Sequence, residues 1–135
     1  IKIMSEIKDE IRNGRIINKE VVTAAAEELA KKRNAKLTKE MMRIAVDSEF
    51  ERKNALLNLQ RNRDEEDPIK ACLKAKEANE IAVKEGKMTP EEFREANRKA
   101  DDEKAKALRS ISDEYYTLRS QLQKQCYDVL NDWDD

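Results

Sequence analysis

The chain has 135 residues, of which 42% are charged and 4% aromatic, and its formal net charge is −1. That length suits one domain with a modest core. The scarcity of aromatics argues against β-rich folds, whereas Ala, Glu, Lys, Arg and Leu recurring at helical spacing match long helices or coiled coil. No apolar run approaches the ~20 residues of a membrane-spanning helix, and there is no signal-peptide core, so a soluble protein of the reducing cytoplasm is expected.

In chain order, Met4-Ser5 resembles a natural start, which leaves Ile1, Lys2 and Ile3 as extra residues. Ser5 is expected to cap a short helix carrying Ile7 and Ile11, ended by Gly14 in the left-handed conformation. Asn18 caps a second helix with Val22, Ala25, Ala26, Leu29 and Ala30 on one face, stopping near Asn34. Thr38 caps a third, with Leu37 and Met42 at hydrophobic-staple spacing and Met42, Ala45, Val46, Phe50, Leu56, Leu57 and Gln60 following the helical period. The dipeptide Asp67-Pro68 looks like a cap followed by proline at the first helical position, so a fourth helix is expected to begin there as a kinked continuation.

The stretch EGKMTPEEF, residues 85–93, holds one of the two glycines and one of the two prolines in the chain. Gly86 suits a helix C-terminus, Thr89 a cap, Pro90 the first helical residue and Glu92 the far side of a capping box, so a tight turn joins two antiparallel helices. A fifth helix of roughly 40 residues, about 60 Å long, then runs to about Asn131. Leu108, Ile111, Tyr115, Leu118, Leu122, Gln125 and Val129 form a heptad seam along its second half. Its first half offers Ala96, Ala100 and Ala107 against Ala71, Ala75, Ala78 and Ala82.

Folding the chain beside Lys87 pairs residues whose numbers sum to about 175. Ala75 then lies level with Ala100, Leu57 with Leu118, Phe50 with Cys126 and Val46 with Val129. The fold expected is all-α, a coiled-coil-like helical hairpin with two shorter N-terminal helices on its base. Residues 1–66 and 108–135 form the base, and residues 67–107 form a protruding alanine-rich arm with its tip at 85–89. Cys72 and Cys126 lie too far apart in this register for a disulfide, whose Cα atoms must approach within about 7 Å.

Several chemistries are excluded by inventory. The chain has no histidine, no glycine-rich phosphate loop and no nucleophile beside a plausible activator, so no enzyme, metal or cofactor is expected. Two surfaces stand out by charge. Residues 1–63 carry 15 Lys and Arg against 10 Asp and Glu, while residues 64–135 carry 13 against 19. In the basic half, Lys31, Lys32, Arg33, Lys36, Lys39, Arg52, Lys53, Arg61 and Arg63 could grip nucleic-acid phosphates, although acidic residues interrupt them and no aromatic stands ready to stack on bases.

The acidic end, Asp132, Trp133, Asp134 and Asp135, could set a tryptophan into a basic apolar pocket of another protein, or Trp133 could cap the bundle near Met42. The tip residues Glu85, Lys87 and Met88 could probe a partner's cleft. No family is recognisable in these motifs. They point to a non-enzymatic module that binds a protein partner through its rod, tip or tail, as an adaptor, inhibitor or assembly component, of bacterial or viral style. Nucleic-acid association is the first alternative. Self-association into a structural homo-oligomer through exposed Ile7, Ile11, Ile16 and Ile17 is the second.

Overall fold

The computed structural model describes residues 2–133, with side chains from Ile7 onward. Four helices, α1 (Lys2–Arg12), α2 (Lys19–Lys32), α3 (Lys39–Lys84) and α4 (Pro90–Asn131), make up the fold, and no strand occurs among the described residues. The expected all-α architecture is observed, with a long C-terminal helix packed on α3 and two shorter N-terminal helices.

The helix ends follow from local chemistry. Asn18 accepts hydrogen bonds through Oδ1 from the backbone of Glu20 (2.9 Å) and Val21 (3.2 Å), satisfying two of the donors orphaned at the start of α2. Thr38 Oγ1 accepts from the Met41 N–H at 3.3 Å in the same way. At the start of α4 the capping box is reciprocal: the Glu92 N–H donates to Thr89 Oγ1 (3.1 Å) and the Thr89 N–H donates to Glu92 Oε1 (3.0 Å). Hydrogen bonding to Thr89, through its backbone N–H first and its side chain second, holds the Glu92 carboxyl below the usual range.

Three helices stop by one device. The N–H of Arg15 bonds to the Glu10 carbonyl, Ala35 to Ala30 and Lys87 to Ala82, at 3.0, 2.9 and 2.8 Å, and each six-residue loop closes around a left-handed residue. That residue is Gly14 (φ +72°), Asn34 (φ +52°) or Gly86 (φ +73°). Asparagine is among the few residues other than glycine that tolerate this region. The stop near Asn34 is therefore written in the sequence as firmly as the two glycines.

Two expected boundaries are corrected. Helix α1 begins at Lys2, so Ser5 lies inside it and not at its cap. Helix α3 runs unbroken for 46 residues with Pro68 in its interior, and Asp67 is an exposed helical residue rather than a cap. A proline in a helix interior removes one ladder bond and costs about 3 kcal/mol. A break would have forfeited several ladder bonds and the apolar seam that continues on both sides, so one missing bond is the smaller loss.

The chain divides into two compact units, residues 1–60 with 115–135, and residues 61–114. In the first, Ile7 and Ile11 of α1, Ile16 and Ile17 after it, and Val22, Ala26 and Ala30 of α2 are all buried. The burial of those four isoleucines corrects the expectation that they stand exposed for self-association. Ala25, expected on the same face of α2, is exposed, so that face is the narrower i, i+4, i+8 stripe. From the long helices the core takes Met42, Ala45, Val46 and Leu57 of α3 and Tyr115, Leu118, Leu122 and Cys126 of α4.

Leu56, expected on the apolar seam, is 39% exposed, and Glu49 is the buried charged residue among those described, ion-paired to Arg52. Gln125 Nε2 donates to the Ile11 carbonyl at 2.7 Å, tying α4 to the end of α1, and the Lys8 ammonium sits 5.0 Å from the Tyr115 ring centre.

The second unit is a thin antiparallel pair. Only Cys72 and Ala100 are buried in it, as small facing side chains require. Its register is held by polar contacts: Asn79 Nδ2 donates to Asn97 Oδ1 at 3.0 Å, Lys76 pairs with Asp101 at 2.7 Å, and the Cys72 thiol donates to Asp101 at 3.6 Å. These pairs sum to 176, 177 and 173, as the fold-back beside Lys87 requires. The seam on α3 differs from the expected one, because Ala71 and Ala78 are exposed while Cys72 and Asn79 take the inward places. Between the helices Pro68, Ala71, Cys72, Ala75, Ala100 and Ala107 border a cleft of about 210 Å³.

Candidate functional site

The residues singled out by charge are scattered by the fold. Lys31, Lys32, Arg33 and Lys36 are exposed at and beyond the C-terminus of α2, and Lys39 and Lys53 are half-buried on α3. Arg52 is committed to Glu49 and Arg61 lies 3.8 Å from Glu65. Arg61 and the exposed Arg63 belong to the second unit, the other basic candidates to the first. At the turn, Lys87 pairs with Glu85 at 2.9 Å and Met88 is half-buried. At the C-terminus, Asp132 is exposed and Trp133 half-buried, its N–H 3.3 Å from the Leu130 carbonyl. Asp134 and Asp135 lie outside the described residues.

The first unit also holds a feature that charge did not reveal. Arg43, Val46, Asp47 and Phe50 of α3 face Gln123, Cys126, Tyr127 and Leu130 of α4 across a groove of about 370 Å³. Each set is spaced i, i+3, i+4, i+7, the spacing that places four side chains on one helix face. Val46, Cys126 and Leu130 are buried and form the floor. Phe50 is half-buried and Tyr127 is 66% exposed, so two aromatic rings flank the opening. Arg43, Asp47 and Gln123 supply polar groups at the rim, and the Arg43 guanidinium is steadied by Glu40 at 3.1 Å. Apolar walls with a few polar groups fit a docking cleft for an apolar or aromatic group.

Cys126 contributes shape and not reactivity. Burial first, and then the carboxylates of Asp47 and Glu49, push its thiol up to about 11 from an ordinary 9.0. The thiolate is the nucleophile, so the folded chain presents an inert thiol. Below pH 9 the thiol is protonated in both folded and unfolded chains, and it affects stability little. Between pH 9 and about 11 the unfolded chain gives up that proton more readily, and stability falls. Alkylation followed by mass spectrometry is therefore expected to leave Cys126 largely unmodified through pH 9 in the folded protein and to label it readily in urea; equal labelling in both states contradicts the buried thiol.

Among the described residues no group of three or more acidic or cysteine side chains is placed to hold a metal ion, and no helix is long and apolar enough to cross a membrane. The sequence did carry one sign of the groove. Tyr127 stands off the heptad seam of α4, where a surface helix ordinarily carries charge. No protein-family model, curated protein or solved structure matches the chain.

Proposed function

We propose that this chain is a non-enzymatic helical interaction module that docks a protein partner in the groove between α3 and α4 of its first unit. The observation that carries this reading is the aromatic-flanked, apolar-floored groove bounded by Phe50, Cys126, Tyr127 and Leu130. Exposed tyrosine beside a desolvated pocket is the usual composition of a binding hot spot, where truncation commonly costs about 2 kcal/mol or more. The absence of histidine from the sequence also favours binding over acid–base catalysis near neutral pH.

The test compares captured partners for the wild-type chain, Tyr127→Lys, Lys87→Glu with Met88→Ser, and Trp133→Ala, each confirmed folded by circular dichroism. Tyr127→Lys is expected to weaken capture at least 30-fold, as about 2 kcal/mol implies, while the turn and tail variants bind within a few-fold of wild type. Undiminished capture by Tyr127→Lys removes the groove from the function. Loss confined to the turn or tail variant transfers the role to Lys87 and Met88 or to Trp133.

A further inference from the structure

We infer that the first unit carries a second interaction surface, a patch of Lys31, Lys32, Arg33 and Lys36 that binds the phosphate backbone of duplex nucleic acid without reading its sequence. This surface does not depend on the groove and stands or falls separately from it.

The sequence supplies the charge, and the fold keeps it together. Between Glu28 and Glu40 the chain has five cations and no carboxylate. Lys31 and Lys32 end α2 and Arg33 is its cap; beyond them the Ala35 N–H bonds back to the Ala30 carbonyl at 2.9 Å, with Asn34 left-handed at φ +52°. The loop therefore curls onto the last turn and holds Lys36 near the other three, within roughly 10 Å, about one screening length at 0.1 M salt. Charges that close act on one anion together. All four are exposed, and none pairs with a described carboxylate, whereas Arg43, Arg52 and Arg61 each do. Lys39 is half-buried with contacts of its own, so the patch ends at Lys36.

The composition of the patch selects among polyanions. Asn34 and Ala35, between the cations, are exposed and supply no large apolar or aromatic anchor. An acidic protein segment ordinarily needs such an anchor, because exposed ion pairs alone contribute little. A phosphate backbone needs none: neutralising its charges releases condensed counterions, and that gain supplies essentially all of non-specific binding. Without an aromatic ring to stack on a base, single strands gain no preference over duplex. The N–H groups of Arg33, Asn34 and Ala35 are taken by carbonyls of α2, which leaves side chains alone to hold the phosphates. The formal net charge of −1 adds no long-range attraction, so binding is weak, about 1 to 100 µM at physiological salt.

The test is fluorescence anisotropy of a labelled mixed-sequence DNA duplex titrated with the full chain. Between roughly 50 and 200 mM salt the logarithm of affinity is expected to fall against the logarithm of salt with a slope of about −3 to −4, as four neutralised phosphates imply. Lys31→Gln with Lys32→Gln should make that slope about 2 shallower. Lys31→Glu, Lys32→Glu, Arg33→Glu and Lys36→Glu combined should weaken binding at least 10-fold, with the fold checked by circular dichroism. Lys70→Glu with Lys74→Glu, a charge reversal at two exposed positions of α3 in the second unit, should bind within a few-fold of wild type.

No binding at the lowest salt, a slope near zero, or undiminished binding by the folded four-fold variant overturns the inference. An equal loss in the Lys70 and Lys74 variant overturns the assignment to this patch, since overall charge is then responsible. Polyglutamate that displaces the duplex and binds more tightly overturns the choice of nucleic acid over an acidic protein.

Discussion

Leu122→Ala is expected to destabilise the protein by about 2 to 5 kcal/mol, the range for leucine deletions in packed cores. Leu122 has no exposed surface, and it belongs to the same stretch of α4 as Leu118 and Tyr115, 1% and 3% exposed. Removing it deletes transfer energy and leaves a cavity in the packed core of the first unit, so collapse is limited. Against a total stability of about 5 to 15 kcal/mol this is a large fraction, and it corresponds to a fall in melting temperature on the order of 10 °C. Leu73→Ala is the matched control, because Leu73 is 58% exposed and the expected change is within about 0.5 kcal/mol. Equal losses in the two variants, measured by urea denaturation, contradict the burial described for α4.

Pro68→Ala is expected to stabilise the chain, by roughly 1 to 2 kcal/mol. The gain comes from returning an N–H to the ladder in the middle of α3 and relieving the clash of the ring with the preceding turn, about 3 kcal/mol in a helix interior. Two terms oppose it. Alanine gives the unfolded chain back some freedom, about 0.4 to 1 kcal/mol, and trimming the half-buried ring widens the cleft beside Ala100 and Ala107 at up to about 0.8 kcal/mol per methylene lost. The first term exceeds the sum of the others. The midpoint of chemical denaturation should therefore rise; a lower midpoint means that the ring's packing in the cleft outweighs the missing bond, and that the proline holds the second unit together.

Position 68 shows how far local rules reach. Asp-Pro after a polar run is a correct helix-start signal when considered alone, and it failed because the seam before it and the seam after it both pack on α4. Tertiary packing overrode a local preference of a few kcal/mol. At residues 85–93 local and tertiary demands agreed, and every expected bond of the stop, the turn and the capping box is present. Asn79 illustrates a different limit. Four alanines spaced to form a stripe suggested one inward face for α3, yet the helix is turned so that Asn79 meets Asn97 and Cys72 meets Asp101. Alanine buries too little to fix rotation about the helix axis, so a hydrogen bond and an ion pair fix it instead.

The groove was the least legible feature. Val46, Phe50 and Cys126 were readable as core residues near one height, but whether a helix would cover that flank depends on where α1 and α2 pack. Gln125 bonding to Ile11 on the opposite flank of α4 records the outcome. Sequence alone determined that the chain is helical, the caps at Asn18, Thr38 and Thr89, the stops at Gly14, Asn34 and Gly86, and the level at which α3 meets α4, because these depend on neighbours within a few residues and on the single reversal beside Lys87. The tertiary structure alone decided that helix α3 passes through Pro68, that the four isoleucines near the N-terminus are buried, and that one side of the α3–α4 pair stays open beside Tyr127. Those outcomes depend on which of several apolar faces bury against each other, a choice made by summed packing energy over residues far apart in the chain.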